Sequence, residues 1–217
     1  MKHLKRIVSA LVTAGIAVAA IMYLPEKWFT PVFAALAVLC ALEFSALLRR
    51  KLAPFSFNGL VFKLLGFAII AFAFYTLATI AMAPDEHNLM LLYVIACVKL
   101  SDMGGFALGV AFGRHKMCPS ISPNKSWEGM VGSILASSLV SCAFLGVTHF
   151  AVAKVVTIGV AAACVGTFGD LVESKFKRWV GVKDSGTFMP AGLGGLLDMF
   201  DSLLFAPAVI WWICKVW

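Results

Sequence analysis

Apolar residues run along this chain in long blocks, and its polar residues come in short bursts between them. The blocks fall at 6–24, 29–48, 60–83, 89–112, 128–150, 152–172 and 194–214. Each is close to the roughly 20 residues a helix needs to cross about 30 Å of hydrocarbon. The pattern predicts an all-α polytopic membrane protein of about seven transmembrane helices. The fifth and sixth blocks are weakly divided, around His149 to Lys154. No soluble domain, low-complexity tract or internal repeat interrupts the series, so residues 1–217 read as a single membrane domain.

Composition agrees. The chain is 61% hydrophobic with a mean hydropathy of +0.94, and only 13% of its residues are charged. Soluble domains carry about twice that share of charge. The opening Met1-Lys-His-Leu-Lys-Arg6 and its apolar run have the outline of a signal peptide. No clear small-residue cleavage site precedes Pro25, so the run reads as an uncleaved first span. Cys40, Cys97, Cys118, Cys142, Cys164 and Cys214 lack the paired spacing of a metal site and lie mostly in apolar runs. They read as small packing or lipid-facing residues.

The net charge of +7 is not a nucleic-acid signature, because the cations sit beside apolar blocks. Lys2, Lys5 and Arg6 precede the first block; Arg49, Arg50 and Lys51 follow the second. Arg114, Lys116 and Lys125 follow the fourth, and Lys175, Lys177, Arg178 and Lys183 follow the sixth. Seven spans with a cytoplasmic N-terminus put all these clusters on one face and leave the opposite loops nearly neutral, as the positive-inside rule requires. The expected location is the cytoplasmic (inner) membrane, with the site facing the cytoplasm.

The acids carry the chemistry. Asp102 lies inside the fourth block, Glu128 opens the fifth, Asp170 closes the sixth, and Asp198 and Asp201 open the seventh. A carboxylate in hydrocarbon costs about 2.5–3.5 kcal/mol at a helix centre and less near its ends, so such groups persist when paired, metal-bound or facing water. A plainer reading pairs them with Lys175, Lys177 and Arg178 at the headgroup level; five acids converging on one face argue against it. Asp198 and Asp201 are three residues apart and project from one helical face. With Asp170 they offer hard oxygen donors to Mg²⁺, which keeps positions for water and substrate phosphates. A second metal ion is left open.

Two polar segments complete the picture. Lys183-Asp-Ser-Gly-Thr-Phe-Met-Pro-Ala-Gly-Leu-Gly-Gly195 is glycine-rich, which lets backbone N–H groups approach phosphate oxygens. Glycine pairs also serve plain helix packing. The loop at 113–129 holds Ser122, Asn124, Lys125 and Trp127, with Ser126 placed to cap the fifth helix.

These segments resemble the phosphatidate cytidylyltransferase (CDP-diacylglycerol synthase) family. The resemblance lies in Ser174-Lys-Phe-Lys177-Arg178, Lys183-Asp184-Ser185-Gly186, Pro190-Ala-Gly-Leu-Gly-Gly195 and Leu197-Asp198-Met-Phe-Asp201-Ser202. Gly169-Asp170-Leu-Val-Glu173, Ser101-Asp102 and Ile121-Ser-Pro-Asn-Lys-Ser-Trp-Glu-Gly129 extend it over 99–202. Leu193 stands where the family has histidine, Met199 where it has arginine, and Ala191 is an extra residue. The resemblance implies that a phosphatidate oxygen attacks the α-phosphorus of CTP and releases pyrophosphate. It implies a metal on Asp170, Asp198 and Asp201, catalytic Lys183 and Asp184, and phosphate contacts from Lys177 and Arg178. Ser122, Asn124, Lys125 and Asp102 are expected to touch nucleotide or lipid headgroup. Membrane lipids and a homodimer are the further partners expected. A CTP-dependent transferase for another lipid phosphate, an ion transporter, and a scaffold without activity are the alternatives.

Overall fold

The computed structural model describes residues 14–53, 56–82, 88–186 and 195–216 and is helical almost throughout. Helix α1 is described over Ala14–Tyr23. A 3-10 turn at Glu26–Trp28 leads into α2, Phe29–Leu48; α3 is Phe57–Ala81 and α4 is Leu89–Phe112. Strands β1, Lys116–Cys118, and β2, Ser122–Ser126, precede α5, Trp127–Ala143, and the short α6, Leu145–Thr148. Then come α7, Val152–Val180, and α8, Leu196–Phe200; a 3-10 turn at Ser202–Leu204 follows, then α9, Ala206–Val216.

Among the described residues, four helices are long and apolar enough to cross a membrane: Glu26–Leu48, Phe57–Ala81, Leu89–Phe112 and Val152–Val180. Large apolar side chains stay outside on α3, with Phe57 80%, Phe72 59% and Tyr75 66% exposed, a surface suited to hydrocarbon rather than water.

Three expectations change here. The block at 128–150 yields a 17-residue α5 that stops at Phe144, and α6 ends on His149 in the left-handed region at φ 53°. The block at 194–214 is broken into α8, the 3-10 turn and α9. Pro207 falls in the first turn of α9, where its missing N–H costs no helical bond. The chain is also not purely α. Residues 116–126 form an antiparallel hairpin that pairs Lys116 with Ser126 and Cys118 with Ser122. Residues 1–13, including Lys2, Lys5 and Arg6, and residues 83–87 lie outside the described residues, as does 187–194 with Ala191 and Leu193.

The chain divides into two compact units, residues 1–92 with 180–200, and residues 93–179 with 201–217. In the first, α2 packs on α3 through aromatic rings. Phe33 lies 6.3 Å from Phe74 and Phe44 lies 6.4 Å from Phe67, centroid to centroid. Phe200 of α8 sits on Phe74 at 5.0 Å. Ser56 caps α3, accepting from the Gly59 N–H at 3.0 Å.

In the second unit, α4 and α5 touch backbone to backbone through Gly104, Gly105 and Gly109 against Gly129, Gly132 and Ser133. A Cβ added at Gly132 would lie 2.8 Å from the Leu108 Cβ, closer than real contacts allow. Small residues at this spacing are a common means of membrane helix packing. A buried polar link ties the three long helices of this unit. Tyr93 of α4 and Ser141 of α5 share a 2.5 Å hydrogen bond, and the Ser141 hydroxyl lies 2.8 Å from the Val155 carbonyl of α7.

Candidate active site

The hairpin in the second unit sets the site. Ile121 N–H donates to the Cys118 carbonyl at 3.1 Å and closes the turn, while Trp127 N–H reaches back to the His115 carbonyl at 2.9 Å. Ser126 caps α5 by accepting from Gly129 N–H at 3.1 Å, as its position before the fifth block predicts. Glu128 in the first turn of α5 receives the backbone N–H of His115 at 3.2 Å and meets its ring Nδ1 at 2.6 Å. The hydrogen bond from His115 lowers the Glu128 carboxyl to about 2. These ties hold β2 against the helix that carries it.

Held this way, β2 presents Ser122, Asn124 and Lys125 to a cavity of about 280 Å³. Asp102 and Gly105 from α4, Gly129 and Ser133 from α5, and Thr167 and Asp170 from α7 line the rest. Lys125 crosses it. Its ammonium donates to Asp170 Oδ2 at 2.8 Å and to the Thr167 carbonyl at 3.2 Å. Both side chains of that pair are largely shielded, at 23% and 19% exposure. The other Asp170 oxygen, Oδ1, is buried without a hydrogen-bond partner.

A second linkage adjoins it. Ser202 donates its hydroxyl to Asp102 Oδ2 at 3.0 Å and accepts from Lys99 Nζ at 3.1 Å. Lys99 also stands 3.7 Å from Asp102 Oδ2. Asp201 accepts the Ser202 N–H at 2.6 Å. Asp102, Asp170 and Asp201 lie within electrostatic reach of one another and of Lys99. Two lysines and three aspartates from one unit thus share a partly shielded volume.

The first unit places the remaining acids differently. Asp198 takes the N–H of Ser185 at 3.0 Å and that of Gly195 at 2.7 Å on Oδ2. Its carboxylate therefore anchors both described ends of the glycine-rich segment. Lys183 and Asp184 are exposed before it. In the second unit, Lys177 near the end of α7 pairs with Glu173 at 2.6 Å, and Arg178 is exposed. Met199 stands half-buried on α8. Of the residues the sequence singles out, the structure therefore brings Asp102, Ser122, Asn124, Lys125 and Asp170 to one cavity, with Asp201 nearby.

Residues 53–217 match the Cytidylyltransferase family. The chain belongs to that family. The match takes in both strands of the hairpin, all of α7 and the acids just described. Among related proteins of the same family, a phosphatidate cytidylyltransferase of Staphylococcus aureus (strain COL) is 39% identical over 153 residues, covering 70% of this chain and 57% of that protein. One from Staphylococcus saprophyticus matches to the same extent, and one from Mycobacterium leprae is 37% identical over 141 residues, 64% of this chain and 44% of that protein. The chain thus spans about half the length of the curated relatives it matches.

Glu43 was not evident from sequence reasoning. It is fully buried on α2 and accepts backbone N–H groups from Leu196 at 3.1 Å and Leu197 at 2.8 Å. A lone acid inside an apolar block was the available signal. Lys99 is near Asp102 in sequence, but Ser202 emerges as the link between them only when α4 is set beside the chain at 201–202.

Among the described residues, no three His, Cys, Asp or Glu side chains come close enough to hold a metal ion by themselves. Asp170 Oδ1 is nevertheless a buried carboxylate oxygen without a hydrogen-bond partner, and Asp102 and Asp201 feel its charge. That donor set fits a hard divalent cation held partly through water and phosphate oxygens, as Mg²⁺ prefers, and not a closed protein cage.

Proposed function

We propose that this protein transfers a cytidylyl group from CTP to phosphatidate, giving CDP-diacylglycerol and pyrophosphate. The observation that carries the reading is the cavity at the hairpin, where Lys125 and Asp170 meet beside Asp102, Ser122 and Asn124 in a chain of the Cytidylyltransferase family.

The chemistry brings two anions together. A phosphatidate oxygen forms a bond to the α-phosphorus of CTP while the bond from that phosphorus to the bridging oxygen breaks, and pyrophosphate leaves with the electron pair. The barrier is mostly charge and alignment, so cations and donors held in advance supply most of the help. Lys125 is poised for a phosphate oxygen, and Asp170 fixes where its ammonium stands. Ser122 and Asn124 offer hydrogen bonds to nucleotide or headgroup. Of the expected metal ligands, Asp170 and Asp201 would hold Mg²⁺, with Asp102 in place of Asp198, whose carboxylate takes the Ser185 and Gly195 N–H groups; when bound, the ion neutralises phosphate charge and draws the two reactants into line. Lys99 offsets part of the negative charge of these acids. Lys183, Lys177 and Arg178 are proposed as further phosphate contacts and Asp184 as a group orienting Lys183. Asp198 serves by holding the glycine-rich segment at its two ends.

We further propose seven crossings with the N-terminus inside. The hairpin and the first turn of α5 then lie at the cytoplasmic surface, where CTP is available, and the acyl chains stay in the bilayer. The test is purified protein in detergent with labelled CTP, phosphatidate and Mg²⁺. Labelled lipid is expected, and it should vanish with a chelator and return with added Mg²⁺. Product from another lipid phosphate but none from phosphatidate moves the acceptor assignment; no lipid-linked label from any acceptor rejects the reaction.

A further inference from the structure

An acid buried in an apolar helix must be offset by its neighbours, and those of Glu43 are informative. The side chain is fully buried, six positions before the basic run Arg49-Arg50-Lys51. Oε1 accepts the Leu196 N–H at 3.1 Å and Oε2 the Leu197 N–H at 2.8 Å. These are the first two residues of α8, whose N–H groups have no partner within their own helix. One residue on, Asp198 binds the N–H groups of Gly195 and Ser185. Two carboxylates thus gather four backbone N–H groups from both sides of the glycine-rich segment. Gly195 leaves room for this arrangement, since a Cβ there would meet Glu43 Oε2 at 2.8 Å.

We infer that Glu43 is a positioning residue for the catalytic segment: its carboxylate fixes the start of α8 and so sets where Asp198 and the chain leading from Lys183 and Asp184 stand. The inference rests on the functional reading above, because that reading gives those residues their work. A carboxylate is the side chain the geometry asks for. Ionised, it only accepts, and two oxygens match two donors. Glutamine keeps the size but turns an N–H toward a backbone N–H, while aspartate keeps both acceptors on a shorter stem.

The test uses the full chain in detergent and the variants Glu43→Gln, Glu43→Asp and Glu43→Ala. Amide exchange read by mass spectrometry is expected to quicken about tenfold or more in peptides spanning 195–200 of Glu43→Gln, with α4–α5 peptides unchanged. In the same variant kcat should fall about tenfold or more while KM for CTP stays within about twofold, and Glu43→Asp should recover part of the loss. Unchanged exchange at 195–200 in both Glu43→Gln and Glu43→Ala overturns the clasp. Faster exchange with unchanged kcat overturns the positioning role and leaves a purely structural one. If Glu43→Ala does not fold, the near-isosteric Glu43→Gln decides. Because exchange needs no turnover, it still reports on Glu43 even if wild-type protein transfers nothing to phosphatidate, an outcome that would count against the functional reading instead.

Discussion

At the residue scale, Lys125 and Asp170 bond at 2.8 Å while each is about four-fifths shielded. Exposed ion pairs contribute about 0–1 kcal/mol, but shielding raises the cost of breaking one partner away. If the pair works as a unit on phosphate, Lys125→Met should lower kcat/KM by about 10²–10³, the usual loss for a group aimed at transition-state charge. Asp170→Asn should lose at least as much. The double variant should be within about tenfold of the worse single, because members of one constellation are not additive. Losses that multiply would show the two acting apart. A second residue-scale expectation concerns the hairpin clamp. Glu128 titrates near 2 because His115 hydrogen-bonds to it, against an ordinary value of 4.5. A lowered carboxyl contributes stability that is present above about 4.5 and lost as pH falls through about 2. In His115→Ala the Glu128 midpoint, followed by carboxyl-labelled NMR, should rise toward 4.5. A midpoint that stays near 2 would mean the backbone bonds alone hold it.

Elements differ in how far their sequence declares them. The run at 89–112 matches α4 end to end, because nothing but helix satisfies so many backbone groups in hydrocarbon. Ser126 likewise marks the start of α5. The hairpin was hidden: Lys116–Cys118 and Ser122–Ser126 are short, polar and carry Pro123, a strand residue tolerated only at an edge. The breaks after Phe144 and Phe200 were hidden too, since hydropathy averages over the turns that set them. Of the cavity's residues, Asp102 and Asp170 stood out as acids in apolar blocks and Lys125 as a cation of a polar loop, but their meeting did not, and Glu43 required knowing which N–H groups lie above it. The α4–α5 contact gives an element-scale test. Gly104→Ala would push a Cβ to 2.6 Å from the Gly132 carbonyl and onto Ala136, whereas a Cβ at Gly146 meets nothing within 4 Å. Overpacking a close contact costs about 1–3 kcal/mol, so Gly104→Ala should lower Tm in detergent by several degrees while Gly146→Ala leaves it nearly unchanged. Equal shifts would show that the glycine contact is not under steric pressure.

For the whole molecule, one helix links the depth of the site to orientation. The 29 residues of α7 extend about 43 Å, more than the roughly 30 Å of hydrocarbon they must cross. Asp170 lies 18 residues after Val152, about 27 Å along the axis, so a span that begins at Val152 would bring it near the far hydrocarbon boundary. The remaining turns carry Lys175, Lys177 and Arg178 beyond it among the headgroups. Lys154, in the first turn, belongs to the other face, where its ammonium bonds the Cys214 carbonyl at 3.0 Å. Three cations on α7 follow Asp170 and one precedes it, so the positive-inside rule predicts, in line with the proposed orientation, that the Asp170 end faces the cytoplasm. A cysteine-depleted chain carrying Arg178→Cys or Lys154→Cys, in vesicles of known sidedness, checks this with an impermeant thiol reagent. Cysteine at 178 should react only from the cytoplasmic side and cysteine at 154 only from the opposite one. Both reacting from one side would mean α7 does not cross. Reversed sides would place Asp170 and the hairpin away from cytoplasmic CTP, and the proposed reaction could not be supplied with its nucleotide.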